Sequence, residues 1–314
     1  MTVLGFDIGG TKCAVLTAET DGDCVTFSDR RAVPTDLSIP PEAMLDRLFS
    51  MADEMLDAKT PERIGISCGG PLDSKKGVIL GPPNLPGWDK VEIVRLAEER
   101  FGIKAYLQND ANACAVAEWK FGAGRGTQNM VFLTCGTGMG AGLIIDGHLY
   151  EGTNGNAGEV GHVRLAPDGP VGFGKAGSFE GFCSGSGIGR LAQKMAEDVK
   201  KRGITPAYCL SNEGINAKTV AEAAKKGDET ALEVYRVSGE KFGYALSILI
   251  DILNPERIVI GSVFARSGDL LIPSMQKAIE EEALSVSASV CRVLPAALGE
   301  KIGDYATIAV ALQN

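Results

Sequence analysis

Two glycine-rich turns, each set between apolar runs, constrain this chain more than any other feature in it. The first runs Val3-Leu-Gly-Phe-Asp7-Ile-Gly9-Gly10-Thr11-Lys12-Cys-Ala-Val-Leu16. The second runs Val131-Phe-Leu-Thr-Cys-Gly136-Thr137-Gly138-Met-Gly140-Ala-Gly142-Leu-Ile144. Val3 and Val131 stand 128 residues apart. Each copy reads as strand, tight turn, strand. Glycine lets a ligand approach the main chain closely, and successive bare N–H groups in such turns form an anion-binding concavity. Two such turns facing each other would grip one polyphosphate from both sides, which points to ATP.

The 314 residues allow one large domain or two ordinary ones. The 40 glycines exceed the usual share of about 7%. They gather in loops without serine repeats, as in an enzyme whose loops wrap ligands. A net charge of −9 argues against a nucleic-acid partner, which needs a basic footprint. A bound polyanion would then need local help from a metal and from backbone amides. The 8 cysteines are scattered without a C-x-x-C pair, and with Met1 leading directly into a strand no signal peptide is expected. A reduced, cytoplasmic setting is expected. No apolar run is long enough for a membrane span.

Along the chain, residues 2–8, 12–18 and 24–32 read as strands, the last two joined by the Asp21-Gly22-Asp23 turn. Pro40-Pro41-Glu42 opens a helix with apolar residues at helical spacing. Ile64–Cys68 is a buried strand, and residues 81–88 form a proline- and glycine-rich loop. A helix is expected over 90–101, a strand at Ala105–Gln108, and a helix from Ala111 to Phe121. Gly122–Gly126 is a candidate boundary. The theme then restarts with a strand at 130–134. Helices are expected at 186–200, 218–226, 228–253, 268–283 and 304–313, with a buried strand at Arg257–Gly261. The pattern predicts two α/β domains related by duplication, with ligand between them. Asp7, Gly69, Asn109, Gly136 and Gly261 fall at the carboxyl ends of strands, where such sheets bind ligands.

Three polar groups carry the candidate chemistry. Asp7 ends a hydrophobic strand before two glycines, where a carboxylate holds Mg²⁺ through water or simply caps its own turn. Thr11 and Lys12 lie within reach of phosphate oxygens. Asp110 stands at a strand–helix junction, as an N-cap, as a general base for phosphoryl transfer, or as both. Glu159 and His162 share the glycine-rich segment Gly158-Glu-Val-Gly-His162. His148, the second of the 2 histidines, reads as a surface turn residue.

These segments together resemble the ROK family of sugar kinases and repressors over essentially the full length. The matching elements are Asp7-Ile-Gly-Gly-Thr-Lys12, Asn84-Leu-Pro-Gly-Trp88, Asn109-Asp-Ala-Asn112, Gly136-Thr-Gly-Met-Gly140 and Asn156-Ala-Gly-Glu-Val-Gly-His162. The resemblance implies a two-domain, actin-like and hexokinase-like ATPase fold built from duplicated ribonuclease H-like α/β domains. It assigns residues 1–118 with 300–314 to the first domain and 119–299 to the second. By position, Asp110 is the base. Asn84, Asn109, Glu159, His162 and Glu180 contact the sugar. Asp7, Gly9, Gly10, Thr11, Lys12, Gly136, Thr137 and Gly138 form the Mg²⁺–phosphate site, and Gly261 marks the adenosine loop, where Ser262 replaces a more usual second glycine.

The implied activity is an ATP-dependent hexose kinase, with glucose phosphorylated at its 6-hydroxyl. The alternatives are an N-acetylmannosamine or N-acetylglucosamine kinase and a non-catalytic sugar sensor. A repressor would need a DNA-binding segment ahead of residue 2. A homodimer or larger assembly is implied. One departure stands out. Family members commonly bind zinc through the histidine of the Glu-x-Gly-His motif and three cysteines. Here Val171, Phe173 and Ser178 occupy the cysteine positions, and one histidine cannot complete a four-ligand site. No zinc site is expected, and Val171 and Phe173 are expected to pack the loop by apolar contact.

Overall fold

The computed structural model describes residues 1–56 and 60–313. Residues 57–59 and 314, which fall in the range expected for the first domain, lie outside the described residues. In chain order the elements of the first half are β1 (Thr2–Ile8), β2 (Lys12–Thr20), β3 (Val25–Pro34), α1 (Pro41–Leu56), β4 (Arg63–Cys68), β5 (Leu72–Asp73), β6 (Val78–Leu80), β7 (Asp89–Val91), α2 (Ile93–Phe101), β8 (Ala105–Asn109) and α3 (Asp110–Phe121). The second half contains β9 (Met130–Cys135), β10 (Met139–Ile145), β11 (His148–Tyr150), β12 (Val171–Gly172), β13 (Lys175–Ala176), α4 (Phe179–Cys183), α5 (Gly185–Lys200), α6 (Ala217–Lys225), α7 (Glu229–Leu253), β14 (Arg257–Ile260), α8 (Val263–Glu282), α9 (Ser285–Ala288), β15 (Arg292–Pro295) and α10 (Ile302–Ala311).

The duplication suggested by the glycine turns is visible in the sheets. One has the order β3-β2-β1-β4-β8 and the other β11-β10-β9-β14-β15. In each, the glycine hairpin supplies two antiparallel strands, and the later strands add in parallel beside its first strand. Such a position is covered on both faces, so β1 carries Val3, Leu4, Phe6 and Ile8 as a nearly continuous buried run.

Helix α1 covers one face of the first sheet. Its buried Met44, Leu45, Leu48, Phe49 and Ala52 follow the helical period, and Phe49 meets Phe6 edge-to-face at 5.5 Å. Helix α10 covers the other face. It approaches so closely that a Cβ on Gly65 would overlap the carbonyl of buried Thr307. Ala306, Ala309 and Val310 of α10 share a core with Ala113, Val116 and Ala117 of α3 and with Phe132 and Val259 of the second sheet. Helices α3 and α10 are therefore packed between the two sheets. Helix α3 runs unbroken through residues 118 and 119.

Several boundaries differ from expectation. Helix α8 begins at Val263, not 268, because Ser267 (φ −139°, ψ 21°) kinks one helix into two segments and interrupts its apolar pattern. The 81–88 loop is framed by the small sheet β5-β6-β7. It is anchored by the buried Leu85 and Trp88. Fully burying a leucine contributes about 1.5–3 kcal/mol, which offsets part of the entropy of ordering a turn-rich segment. All eight cysteines are free. Among the described residues, no helix is long and apolar enough to cross a membrane.

Candidate active site

The first turn places Asp7 opposite Ala14 in the β1–β2 register. Gly9 and Gly10 follow, with Thr11 and Lys12 exposed. Thr35 secures the turn by donating its hydroxyl to the Gly9 carbonyl at 2.6 Å and its N–H to the Thr11 carbonyl at 3.0 Å. Gly10 lies against the backbone of Asn84, so the 81–88 loop meets the first turn.

The Asp7 carboxylate is pushed up to about 6, chiefly by burial and then by the negative charges of Asp304 and Asp110. Arg30 opposes this only in part. It is engaged with Asp304, its Nε donating to both carboxylate oxygens at 2.8 and 3.0 Å. Lys12 opposes the rise too, yet the net shift stays upward. Among the described residues no three histidine, cysteine or acidic groups gather as a metal cluster. Mg²⁺ uses one or two carboxylates with waters and substrate phosphates, and Asp7 could supply one of them.

Asp110 is the first residue of α3, and the N-cap is Asn109, contrary to the plain reading of Asp110 as the cap. The Asp110 carboxylate accepts the N–H of Ala111 at 2.8 Å. Its side chain opens to solvent, yet protein packed around it raises its pKa. Partial loss of water is the largest cause, the Ala111 N–H opposes it, and the Glu159 carboxylate adds to the rise. Asp110 therefore feels Glu159 from the second half of the chain, while Asp7 feels Asp110.

The second turn exposes Thr137 and Gly138. Glu180, expected as a sugar contact, also holds this turn. One oxygen accepts the N–H of Met139 at 3.1 Å. Gly161, next to His162, packs on the Cβ of the same glutamate. Glu180 thus links the second glycine turn to the Glu159–His162 segment. Asn109 likewise has a structural duty, since its Oδ1 is occupied by capping.

The loop after His162 corrects one expectation. Val171 is 47% exposed and Phe173 is 73% exposed, so neither packs the loop as a buried contact. Both lie at the β12–β13 hairpin, where Phe173 takes φ 42° and turns outward.

Behind the second turn lies a cavity of about 590 Å³ lined by Gly136, Thr137, Ser186, Arg190, Asn216, Lys218, Ser262 and Arg266. Gly261, expected in the adenosine loop, is buried beside it, with its N–H on the Leu133 carbonyl at 2.9 Å. Ser186, Arg190, Asn216 and Lys218 were not anticipated. Their only sequence signal is position near the starts of two helices. Gln108 and Glu151 were also missed. Buried Gln108 donates to Glu151 at 3.1 Å, and Ser74 donates to the same oxygen at 2.7 Å. This joins the Asn109–Asp110 junction to the second half of the chain.

The ROK family profile matches residues 3–313. The chain is 31% identical to a glucokinase of Streptomyces coelicolor over 304 residues, 96% of this chain and 94% of that one. It is 32% identical to an N-acetylmannosamine kinase of Escherichia coli over 288 residues, 91% of each. A ROK glucokinase of Streptomyces griseus, solved with glucose and AMPPNP, superposes with a TM-score of 0.78 at 29% identity, over 100% of both chains. The architecture is the expected two-part, hexokinase-like ATPase fold. With a family match over nearly its whole length and relatives above 30% identity, the chain belongs to the ROK family.

Proposed function

We propose that the protein is an ATP-dependent hexose kinase that transfers the γ-phosphate to the 6-hydroxyl of glucose. The observation that carries this reading is the placement of Asp110. It is an accessible carboxylate of raised pKa, fixed at the start of a helix between two glycine turns. Asp110 accepts the hydroxyl proton as the sugar oxygen attacks in line, and its raised pKa makes it a better base than an ordinary aspartate.

The N–H groups of Gly9, Gly10, Gly136, Thr137 and Gly138 receive phosphate oxygens, with Thr11 and Lys12 at the rim. Asp7 would hold Mg²⁺, largely through water, and the ion when bound neutralises phosphate charge. Asn84, Asn109, Glu159, His162 and Glu180 hold the sugar hydroxyls. The cavity beside Gly261 takes the nucleoside.

A second reading, an N-acetylhexosamine kinase, is favoured by the 32% identity to the N-acetylmannosamine kinase. A non-catalytic sugar sensor would not need Asp7, Asp110 and both turns together. A coupled ADP-release assay over glucose, mannose and the two N-acetylhexosamines tests the proposal. Glucose is expected to give the highest kcat/KM. A higher value for an N-acetylhexosamine selects the second reading, and no turnover with any sugar rejects both. The homodimer implied by the family is checked by sedimentation.

A further inference from the structure

The segment Val171–Glu180 does not fit the zinc that family members commonly hold beside this histidine. Val171 and Phe173 offer no donor atom. Ser178 is spent on capping α4, its hydroxyl oxygen accepting the Gly181 N–H at 3.1 Å. Among the described residues no cluster of three metal-ligating side chains exists.

Something else holds His162. The Lys175 ammonium donates to the His162 carbonyl at 2.6 Å. The Phe173 ring meets the imidazole edge-on, with centroids 5.4 Å apart and planes at 84°. Both residues come from one tight hairpin, in which Phe173 and Gly174 have φ of 42° and 76°. That geometry suits the right-handed twist of the flanking strands, and glycine, asparagine and aspartate are its usual occupants. A phenylalanine there is strained, and at 73% exposure it gains little from burial. Its interaction with the histidine is the contact that accounts for it. The ammonium is equally specific. Among the described residues it has no carboxylate partner, and it sits on a backbone carbonyl at the end of the Glu159–His162 segment.

We propose that Lys175 and Phe173 are positioning residues that set the His162 ring for the sugar, a metal-free brace in place of the zinc. With no metal on the imidazole, both ring nitrogens are available to sugar hydroxyls. The proposal rests on the reading of His162 as a sugar contact.

The test compares His162→Ala, Lys175→Met, Lys175→Arg and Phe173→Ala in the full-length protein purified without added metal. Lys175→Met and Phe173→Ala are expected to raise the glucose KM about tenfold, as loss of a supporting partner does. Their kcat and ATP KM should stay within about twofold of the parent. Lys175→Arg should restore most of the glucose affinity. Zinc content should be negligible and EDTA, with Mg²⁺ resupplied in excess, without effect. Because Phe173 is exposed, its alanine variant should melt like the parent and so separates positioning from folding. If His162→Ala raises the glucose KM while both brace variants leave it unchanged, the brace is rejected and the sugar contact stands. If His162→Ala itself leaves glucose KM unchanged, the sugar-contact reading fails first. Stoichiometric zinc overturns the metal-free brace outright.

Discussion

Asn109 caps the helix that Asp110 begins. Its Oδ1 accepts the N–H of Ala111 at 3.0 Å and of Asn112 at 3.4 Å. Asp110 shares the Ala111 N–H with this cap, which fixes the turn from which its carboxylate projects. Asp110→Asn should lower kcat by about 10²–10⁴-fold while glucose still binds, as read by calorimetric titration. Asn109→Ala should destabilise the protein by about 1 kcal/mol through the lost cap.

Asp7 predicts an unusual pH response. Its carboxylate titrates near 6 in the folded protein against an ordinary 3.8. Between those values the folded state binds a proton that the unfolded chain has released. Stability contributed by this group is therefore greatest below pH 4 and declines as pH rises through 6. The full difference corresponds to about 3 kcal/mol. Asp7→Asn should raise the melting temperature of the ligand-free protein at pH 7.5 and flatten its pH dependence, while abolishing turnover with Mg-ATP. An unchanged melting curve would contradict the burial argument.

Gly142 lies under helix α3. A Cβ there would overlap Ala115 and approach the Ala111 carbonyl at 3.0 Å and Asn112 Cα at 3.1 Å. Gly142→Ala should push α3, and Asp110 with it, off the second hairpin. The expected loss is about 1–3 kcal/mol in urea unfolding, with a fall in kcat larger than the change in ATP KM.

Ser262 holds φ 55° and ψ −113° at the rim of the cavity beside Gly261, without a side-chain cap bond to α8. Such a conformation costs about 1–3 kcal/mol for a non-glycine residue. Ser262→Gly should raise the melting temperature by about 2 °C or more, and its ATP KM reports whether the hydroxyl touches the nucleotide.

Glu118, fully buried at the end of α3, accepts the N–H groups of Ala123 at 2.7 Å, Ala297 at 3.2 Å and Leu298 at 2.9 Å. These belong to the two connections that carry the chain out of α3 and back toward α10. Glu118→Ala strands three donors and should cost at least about 3 kcal/mol. Glu118→Gln keeps one acceptor oxygen and should lose less. Denaturant midpoints distinguish the two.

The doubled hairpin and the strand–helix junction at Asp110 were legible because their signal is local: apolar runs, glycines at a fixed offset, a carboxylate at a boundary. The Gln108–Glu151 bridge was not, since its partners stand 43 residues apart and neither has a distinctive neighbourhood. Arg190 and Lys218 look in sequence like any solvated helix residue. The strands Leu72–Asp73 and Val78–Leu80 are too short to show alternation. Val171 and Phe173 misled because apolar character suggests burial, whereas the hairpin dihedral at Phe173 turns it outward. That the pattern lacked zinc ligands was readable; that a lysine stood on the histidine carbonyl was not.

Helix α10 closes over β1, where Ile308 and Ala311 pack on Val3, Leu16 and Ala18. Its Gly303 stands beside Asp7, a Cβ there lying 3.3 Å from the carboxylate. A strand near one end of the sequence is thus completed by a helix near the other. Without α10, β1 has no cover on that face and the glycine turn after Asp7 lacks a wall. A complete first turn therefore waits on a contact between segments far apart in sequence, a kind that forms slowly in folding.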